Sequence, residues 1–588
     1  MTFQKLAEYF AQLELTSSRN AMVEILSRLF GEAEASEIDK VVYLTQGRVA
    51  PLYEPVEFGM AEKMILRALE LAFGVGVGKA TEIFKKNGDL GEAARDLSNK
   101  INKNKKNNKK TVTEVFMELL RIAQSGGEGS VEKKIGILSG LLQESDPLSA
   151  KYIARIPVDK MRLGFSDMTV LEGLSWMMDK TKGNKPAMEA VYNIRPDLGY
   201  IAKQVRAVIK AGKKQALASI EEIKPVTGTP LLPMRAERAA SPDDILENTG
   251  GRCAIEPKVD GLRTQLHIKR AQRWGLKAGS CEVRLYSRGL ENVTGMYPDL
   301  VAAAEKEIAC EDVILDGEAI GYNPQSGKFL PFQETVQRKR KYDIESFSKN
   351  VPLKLIVFDC LYLNGRSLIN EPYTVRRKEV EKLLRKENTI QPAEMHIVND
   401  AAEIEKLFHA ALAKNLEGIM AKKLDGVYQA GARGWNWIKY KKSYESKLAD
   451  TIDAVVMGYD YGQGKRSKFG VGAFLVGVYD KKEDSFKTIS KIGTGLTDEE
   501  WQELAARGKG LAVSEKPKNY NVNKTMGCDV WLRPKLVGEF KADELTKSPM
   551  HTAGLALRFP RLVRWREKNP EDTTSTKEME AIFKLQAK

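Results

Sequence analysis

Three unlike domains are predicted for this chain: an all-α domain over residues 1–222, an α+β domain over 223–446, and a small all-β barrel over 447–588. Three observations predict them. Helical hydrophobic spacing dominates the first part and stops at a proline-rich stretch. Short alternating strands with interspersed helix follow, and beyond Thr451 the strands are separated by Gly-rich turns. A length of 588 residues also exceeds what one hydrophobic core accommodates.

The first helix is read from Phe3, Leu6, Phe10 and Leu13, which fall on one face. VEILSRLF, AEKMILRALELAFG and TEVFMELLRIAQ repeat the pattern, divided by Gly, Asn and Ser clusters. Thr111 and Glu114 have capping-box spacing, which starts the helix that runs through Ala123. The basic stretch from Lys100 to Lys110 reads as a solvated loop, with a phosphate-touching loop as the alternative. Pro225, Pro230 and Pro233 in KPVTGTPLLPM end helix and give an extended linker. CAIEPKV, RTQLHIK, EVRLYSR, DVILDGEAIGY, LKLIVFDCLYL and WNWIKYKK then read as strands, and AAEIEKLFHAAL as a helix. IDAVVMGYDY, VGAFLVGVYD, FKTISKIG and VWLRPKLVGEF give about five strands, which suits a closed barrel of the oligonucleotide-binding (OB) type.

Composition narrows the functional classes. No run of eighteen apolar residues exists, so no membrane span is predicted, and acids within the first helix argue against a signal peptide. The five cysteines lie far apart without a C-x-x-C pair, and the four histidines are scattered. A structural zinc site is therefore not expected, and a reducing, cytoplasmic location is. A formal charge of +14 points to a polyanionic partner, though charge alone favours nucleic acid only modestly.

The most informative string is Glu256-Pro-Lys-Val-Asp-Gly-Leu-Arg263. Lys-x-Asp-Gly alone is weak, since chance supplies it in roughly one chain in five of this length. A free lysine is a poor nucleophile at neutral pH; desolvation and neighbouring cations expose its lone pair. Arg263, with Lys439 and Lys441 if they fold against it, would tune Lys258 in this way. Asp260 and Gly261 would turn the chain, with the glycine also admitting a nucleotide to the backbone. A surface lysine before an ordinary hairpin fits this window equally well.

Other windows break the tie. Arg288 is expected at a strand end, Glu318 after a buried strand, and Phe358 at the end of another. Glu417-Gly-Ile-Met-Ala-Lys422, Arg433, Trp437 and Lys439-Tyr-Lys441 follow. One nucleophile, several cations for a triphosphate, two carboxylates for a metal and an aromatic for a base suit attack on an α-phosphate.

On these residues the chain resembles the ATP-dependent DNA ligases, of the archaeal replicative type related to the eukaryotic nuclear enzymes, within the covalent nucleotidyltransferase superfamily. The likeness extends to TQGRVAPLYEPVEFG (Thr45 to Gly59), GEGSVEKK (Gly127 to Lys134), MRLGFSDMTVLEGL (Met161 to Leu174), PLLPM and GLALRFPR (Gly554 to Arg561). It implies a helical DNA-binding domain, an adenylation (nucleotidyltransferase) domain and an OB-fold domain. ATP and Mg²⁺ become the expected cofactors, and nicked duplex DNA the substrate. Lys258 would be adenylylated, Glu256 and its backbone would face the adenine, and Phe358 would stack on it. Arg263 and Glu318 would hold the ribose side, while Arg288, Arg433 and Lys439 would follow the phosphates. Glu417 would hold the metal, with Glu318 as a second contact through water. Arg558 and Arg561 would orient the pyrophosphate. A hinge is expected around Tyr444 to Asp453. The likeness also implies a monomer acting in replication, repair and recombination. Related proteins carry a sliding-clamp peptide; no convincing one stands here, so a clamp stays open as a partner. Residues Ala271 to Glu282 form an unusually long insert between Arg263 and Arg288.

Three rival readings compete. RNA ligases and mRNA capping enzymes share the lysine motif, but the long helical domain argues against both. An NAD-dependent ligase would carry a four-cysteine zinc module. A non-catalytic DNA-binding clamp scaffold does not explain Lys258 standing with Arg433, Lys439 and Arg558.

Overall fold

The computed structural model describes residues 1–101, 110–158, 161–211, 223–270, 281–340, 343–414, 416–441, 451–462, 466 and 469–586. Most of the basic stretch (102–109), most of the long insert (271–280) and the expected hinge up to residue 450 lie outside them. The chain packs as two compact units, Met1–Lys441 and Lys442–Lys588.

The first unit begins with α-helices from Phe3–Leu15 to Leu198–Ala211. The apolar face read from the sequence is buried: Leu6, Phe10 and Leu13 are fully covered and join one large hydrophobic cluster. The capping box forms as expected, with Thr111 and Glu114 each bonding the other's backbone, and starts the helix Val112–Gln124.

Among the described residues eleven strands follow in this unit: β1 (Arg235–Arg238), β2 (Cys253–Lys258), β3 (Leu262–Arg270), β4 (Cys281–Ser287), β5 (Asp312–Gly321), β6 (Leu353–Leu363), β7 (Arg366–Ser367), β8 (Ile390–Pro392), β9 (His396–Val398), β10 (Gly418–Lys423) and β11 (Arg433–Lys441). They form two sheets. One has the order β1-β11-β10-β2-β9, with β1 parallel to β11 and the other neighbours antiparallel. The other runs β4-β3-β5-β6-β7, with β8 parallel to β6. The helix Ala401–Ala413 packs on the first sheet and Tyr373–Leu383 on the second.

The chain changes sheets at Val259–Gly261, between β2 and β3. That excludes the alternative of a surface lysine before an ordinary hairpin. Asp260-Gly261 is not a hairpin turn, because the flanking strands belong to different sheets. A Cβ on Gly261 would overlap the Ala319 carbonyl oxygen of β5, so strand-on-strand approach by itself requires glycine here.

The second unit is β-rich. It contains β12 (Ile452–Asp460), β13 (Ala473–Asp480), β14 (Ser485–Ile492), β15 (Ala512–Val513), β16 (Tyr520–Asn521), β17 (Val530–Leu532), β18 (Val537–Lys541), β19 (Glu544–Lys547), β20 (Leu555–Arg558) and β21 (Arg561–Arg566). β12, β13 and β14 form a meander, and β18 joins β12 to β21. The all-β expectation is overturned: the helices Asp498–Lys509 and Thr576–Gln586 belong to this unit. The first has a complete capping box from Thr497 and Glu500 and buries Trp501 and Leu504 in the unit's hydrophobic core. VWLRPKLVGEF is also two strands rather than one. The chain turns around Pro534, and the halves pair with opposite ends of β12.

Candidate active site

Lys258 ends β2, where its side chain is 24% exposed at the edge of a cavity of about 560 Å³ between the two sheets. The volume suits a nucleotide-sized ligand. Its ammonium is paired with Glu417 Oε2, and Lys441 holds Oε1 of the same carboxylate at 2.7 Å. The Glu417 amide also donates to the Lys258 carbonyl at 3.1 Å, fixing backbone and side chain together. Burial works to raise the Glu417 pKa, but the Lys258 and Lys441 ammonium groups outweigh it and hold the carboxyl below its usual range.

Arg263 was expected as a cationic neighbour of Lys258; instead its guanidinium is committed elsewhere. Nε and Nη2 grip Asp316 at 3.2 and 2.7 Å, and Nη1 donates to the Met234 carbonyl at 2.5 Å. The cations that do gather near Lys258 come from β11. Lys439 lines the cavity, and burial, followed by Lys441, Arg433 and Lys258, lowers its pKa.

Glu318 lies within β5 rather than after it, opposite Arg263 in register, and lines the cavity. Burial pushes its carboxyl up to about 7, against the opposing pull of Lys258 and Arg263 and with help from Asp316 and Asp260. With Glu417 it gives two of the carboxylates that line the cavity, Glu256 and Asp260 being the others. Among the described residues no group of three or more acidic, His or Cys side chains could cage a metal. A two-carboxylate donor set still fits Mg²⁺, which keeps several waters and takes its remaining oxygens from substrate phosphates.

Phe358 sits in the middle of β6, not at its end, and meets Trp437 edge-to-face at 5.5 Å. Both line the cavity. Glu256 lines it too, but its carboxylate is already occupied. The Tyr373 hydroxyl donates to Oε1 at 2.5 Å, Lys422 holds Oε2 at 2.8 Å, and Arg377 lies 3.8 Å from Oε1. Lys422 is 1% exposed, donates to the Phe358 carbonyl at 2.9 Å and stands 4.8 Å from that ring. Burial lowers its pKa, and Glu256 opposes the shift. This buried pair cross-links β2, β6 and β10 within the cavity wall.

Arg288 and Arg433 are exposed at the cavity's rim. Lys258, Glu256, Arg263, Arg288, Glu318, Phe358, Glu417, Arg433 and Lys439 therefore share one cavity. Arg558 and Arg561 belong to the second unit, where they pair with Glu544 at 2.6 Å and Asp543 at 3.1 Å. Sequence reasoning missed four buried supports. Asp316 and Lys422 stood inside strings already singled out, whereas Tyr373 and Tyr428 carry no local signal.

A lysine at the end of one strand and cations from a second strand of the same sheet border a nucleotide-sized cavity, with a helical region ahead of both; the arrangement fits a nucleotidyltransferase with a helical N-terminal region. Comparison with known proteins narrows this. Residues 2–175 match the family model for the DNA ligase N terminus, 233–441 the ATP dependent DNA ligase domain, and 467–569 the ATP dependent DNA ligase C terminal region. The chain belongs to the ATP-dependent DNA ligase family. A probable DNA ligase of Dictyoglomus turgidum is 44% identical over 597 residues, covering 100% of this chain and 98% of that one. The DNA ligase of Hyperthermus butylicus is 38% identical over 614 residues, with the same coverage. The solved structure designated Pmar-Lig_PreS3 covers 95% of this chain and 99% of its own, with a TM-score of 0.53 and 17% identity, a likeness of fold alone. Among the described residues no helix is long and apolar enough to cross a membrane.

Proposed function

We propose that this chain seals nicks in duplex DNA through a lysyl-AMP intermediate on Lys258, with Mg²⁺, as a cytoplasmic monomer serving replication, repair and recombination. The observation that carries the reading is Lys258 at the cavity edge, with Glu417 against it and Arg433, Lys439 and Lys441 on β11, two strands away in the same sheet.

Nζ of Lys258 attacks the α-phosphorus of ATP. A P–N bond forms, the bond to the β-phosphate oxygen breaks, and pyrophosphate leaves. Glu417 Oε2 already touches the ammonium and is the acceptor in place for the proton it gives up. Arg288, Arg433 and Lys439 would neutralise the phosphates, and Phe358 with Trp437 would pack the base. Glu417 and Glu318 would hold Mg²⁺, which supplies positive charge to the departing pyrophosphate when bound. The helical region would bind duplex DNA, largely through phosphates. The β-rich unit would act as an OB-type barrel, whose Arg558 and Arg561 orient pyrophosphate. AMP then passes to the 5′-phosphate of a nick, and the 3′-hydroxyl displaces it.

Incubation with α-labelled ATP tests this. Label should stay on the protein and be acid-labile, and Lys258→Ala should abolish it. Labelling by GTP in place of ATP would favour a capping-type reaction instead.

A further inference from the structure

We propose that Tyr428 is a positioning residue of this site: its hydroxyl ties the linker ahead of β1 to the Arg263–Asp316 pair and makes the end of that linker a fixed wall of the nucleotide cavity. The inference rests on the adenylylation reading and names what holds the cavity in shape for it.

Met234, at the linker's end, and Arg235 and Ala236, which open β1, line the cavity, while Tyr428 stands behind them and is 3% exposed. Both backbone polar groups of Met234 are held by side chains. Its N–H donates to the Tyr428 hydroxyl oxygen at 3.1 Å, and its carbonyl accepts from Arg263 at 2.5 Å. The Tyr428 hydroxyl in turn donates to Asp316 Oδ2 at 2.7 Å and accepts from Arg263 Nη2 at 3.4 Å. One oxygen thus joins the linker to β3 and β5. The tether continues upstream. Leu231 donates to Gln265 at 2.8 Å, Gly228 donates to His267 Nδ1 at 3.1 Å, and the Tyr286 hydroxyl donates to the Gly228 carbonyl at 2.6 Å.

A phenylalanine at 428 keeps the ring and its edge-on contact with Trp437, 5.6 Å away. It removes the acceptor for the Met234 N–H and one donor to Asp316. Buried groups left in that state are costly, so the linker's end would move to find partners. Tyr428 does not reach Lys258 or the phosphate-lining cations, so the loss falls on nucleotide binding rather than on the chemical step.

Tyr428→Phe should raise KM for ATP in self-adenylylation by roughly tenfold, the factor expected for one buried hydrogen-bond donor left unpartnered, with the maximal rate within about threefold of wild type. An unchanged KM, or a fall in maximal rate alone, overturns the proposal. A second measurement needs no variant. In the wild-type chain, amide hydrogen exchange across residues 231–236 should slow by at least about threefold on adenylylation, because a ligand against that wall closes its local opening. Unchanged exchange there also overturns it. A wild-type protein that takes no label from ATP would instead sink the adenylylation reading itself.

Discussion

Lys258 and Lys441 divide one carboxylate between them: Glu417 gives Oε2 to the first and Oε1, at 2.7 Å, to the second. Glu417 precedes β10, Lys258 ends β2 and Lys441 ends β11, so three adjacent strands of one sheet converge on a single anion. In the proposed reaction, the group that holds the attacking amine in place must also release it when nucleotide arrives.

Glu417→Gln keeps the side chain's length and one hydrogen bond but removes the charge that orders both lysines. The rate of labelling by ATP should fall by about 10²-fold, in line with the loss of one preorganised charged partner. The Mg²⁺ concentration for half-maximal rate should rise with it. Single-turnover labelling across a Mg²⁺ series measures both, and an unaltered Mg²⁺ dependence would remove Glu417 from the metal site.

Glu318 should give stability a recognisable pH dependence. Burial holds its carboxyl at about 7 in the folded chain against an ordinary value of 4.5. The folded state therefore binds this proton more tightly than the unfolded one. Its favourable contribution is complete below about pH 4.5 and is lost as pH rises through 7. Glu318→Gln cannot ionise, so it should match wild type at pH 4.5 and exceed it by roughly 2–3 kcal/mol at pH 8. Urea unfolding at the two pH values decides the matter, and an equal gap at both would contradict the assignment.

The Glu256–Lys422 pair should behave as a unit. Both side chains are nearly inaccessible, at 3% and 1% exposed. Replacing one leaves the other charge buried without compensation, so Lys422→Met should cost about 3–5 kcal/mol. The double variant Glu256→Gln/Lys422→Met should cost clearly less than the two single changes added together. A double-mutant cycle in denaturant reads the coupling directly, and strict additivity would mean the pair does not hold the wall.

Arg558 offers a test of the β-rich unit. Arg558→Ala should slow protein labelling by about 10²-fold, as expected for a lost charge-stabilising donor. Sealing of a nick already carrying AMP needs no pyrophosphate leaving group and should remain within a few-fold of wild type. Comparable losses in both assays would place Arg558 outside the first step.

Much was legible because it was local. The helix Phe3–Leu15, the capping box at Thr111 and the six main strands of the nucleotidyltransferase region follow from hydrophobic period and side-chain hydrogen bonds a few residues apart. Local signals were also overlooked. Thr497 and Glu500 stand at capping-box spacing, yet the helix they start was read as part of an all-β region. Pro534 likewise marked the turn that divides one expected strand into two. The motif around Lys258 picked out a lysine that the structure places at the cavity edge.

Only the tertiary structure decided which partner each charge takes. Arg263 lies five residues from Lys258 in sequence, yet it bonds Asp316 and the linker, while Lys258 pairs with Glu417, more than 150 positions away. Tyr373 and Tyr428 look like ordinary aromatics in the chain and become hydrogen-bonding supports once buried. The reason is physical. Backbone form depends on neighbours within a turn or a strand. A buried charge must instead be matched by whatever polar group the packing of distant strands brings within about 3 Å, and sequence spacing does not encode that meeting.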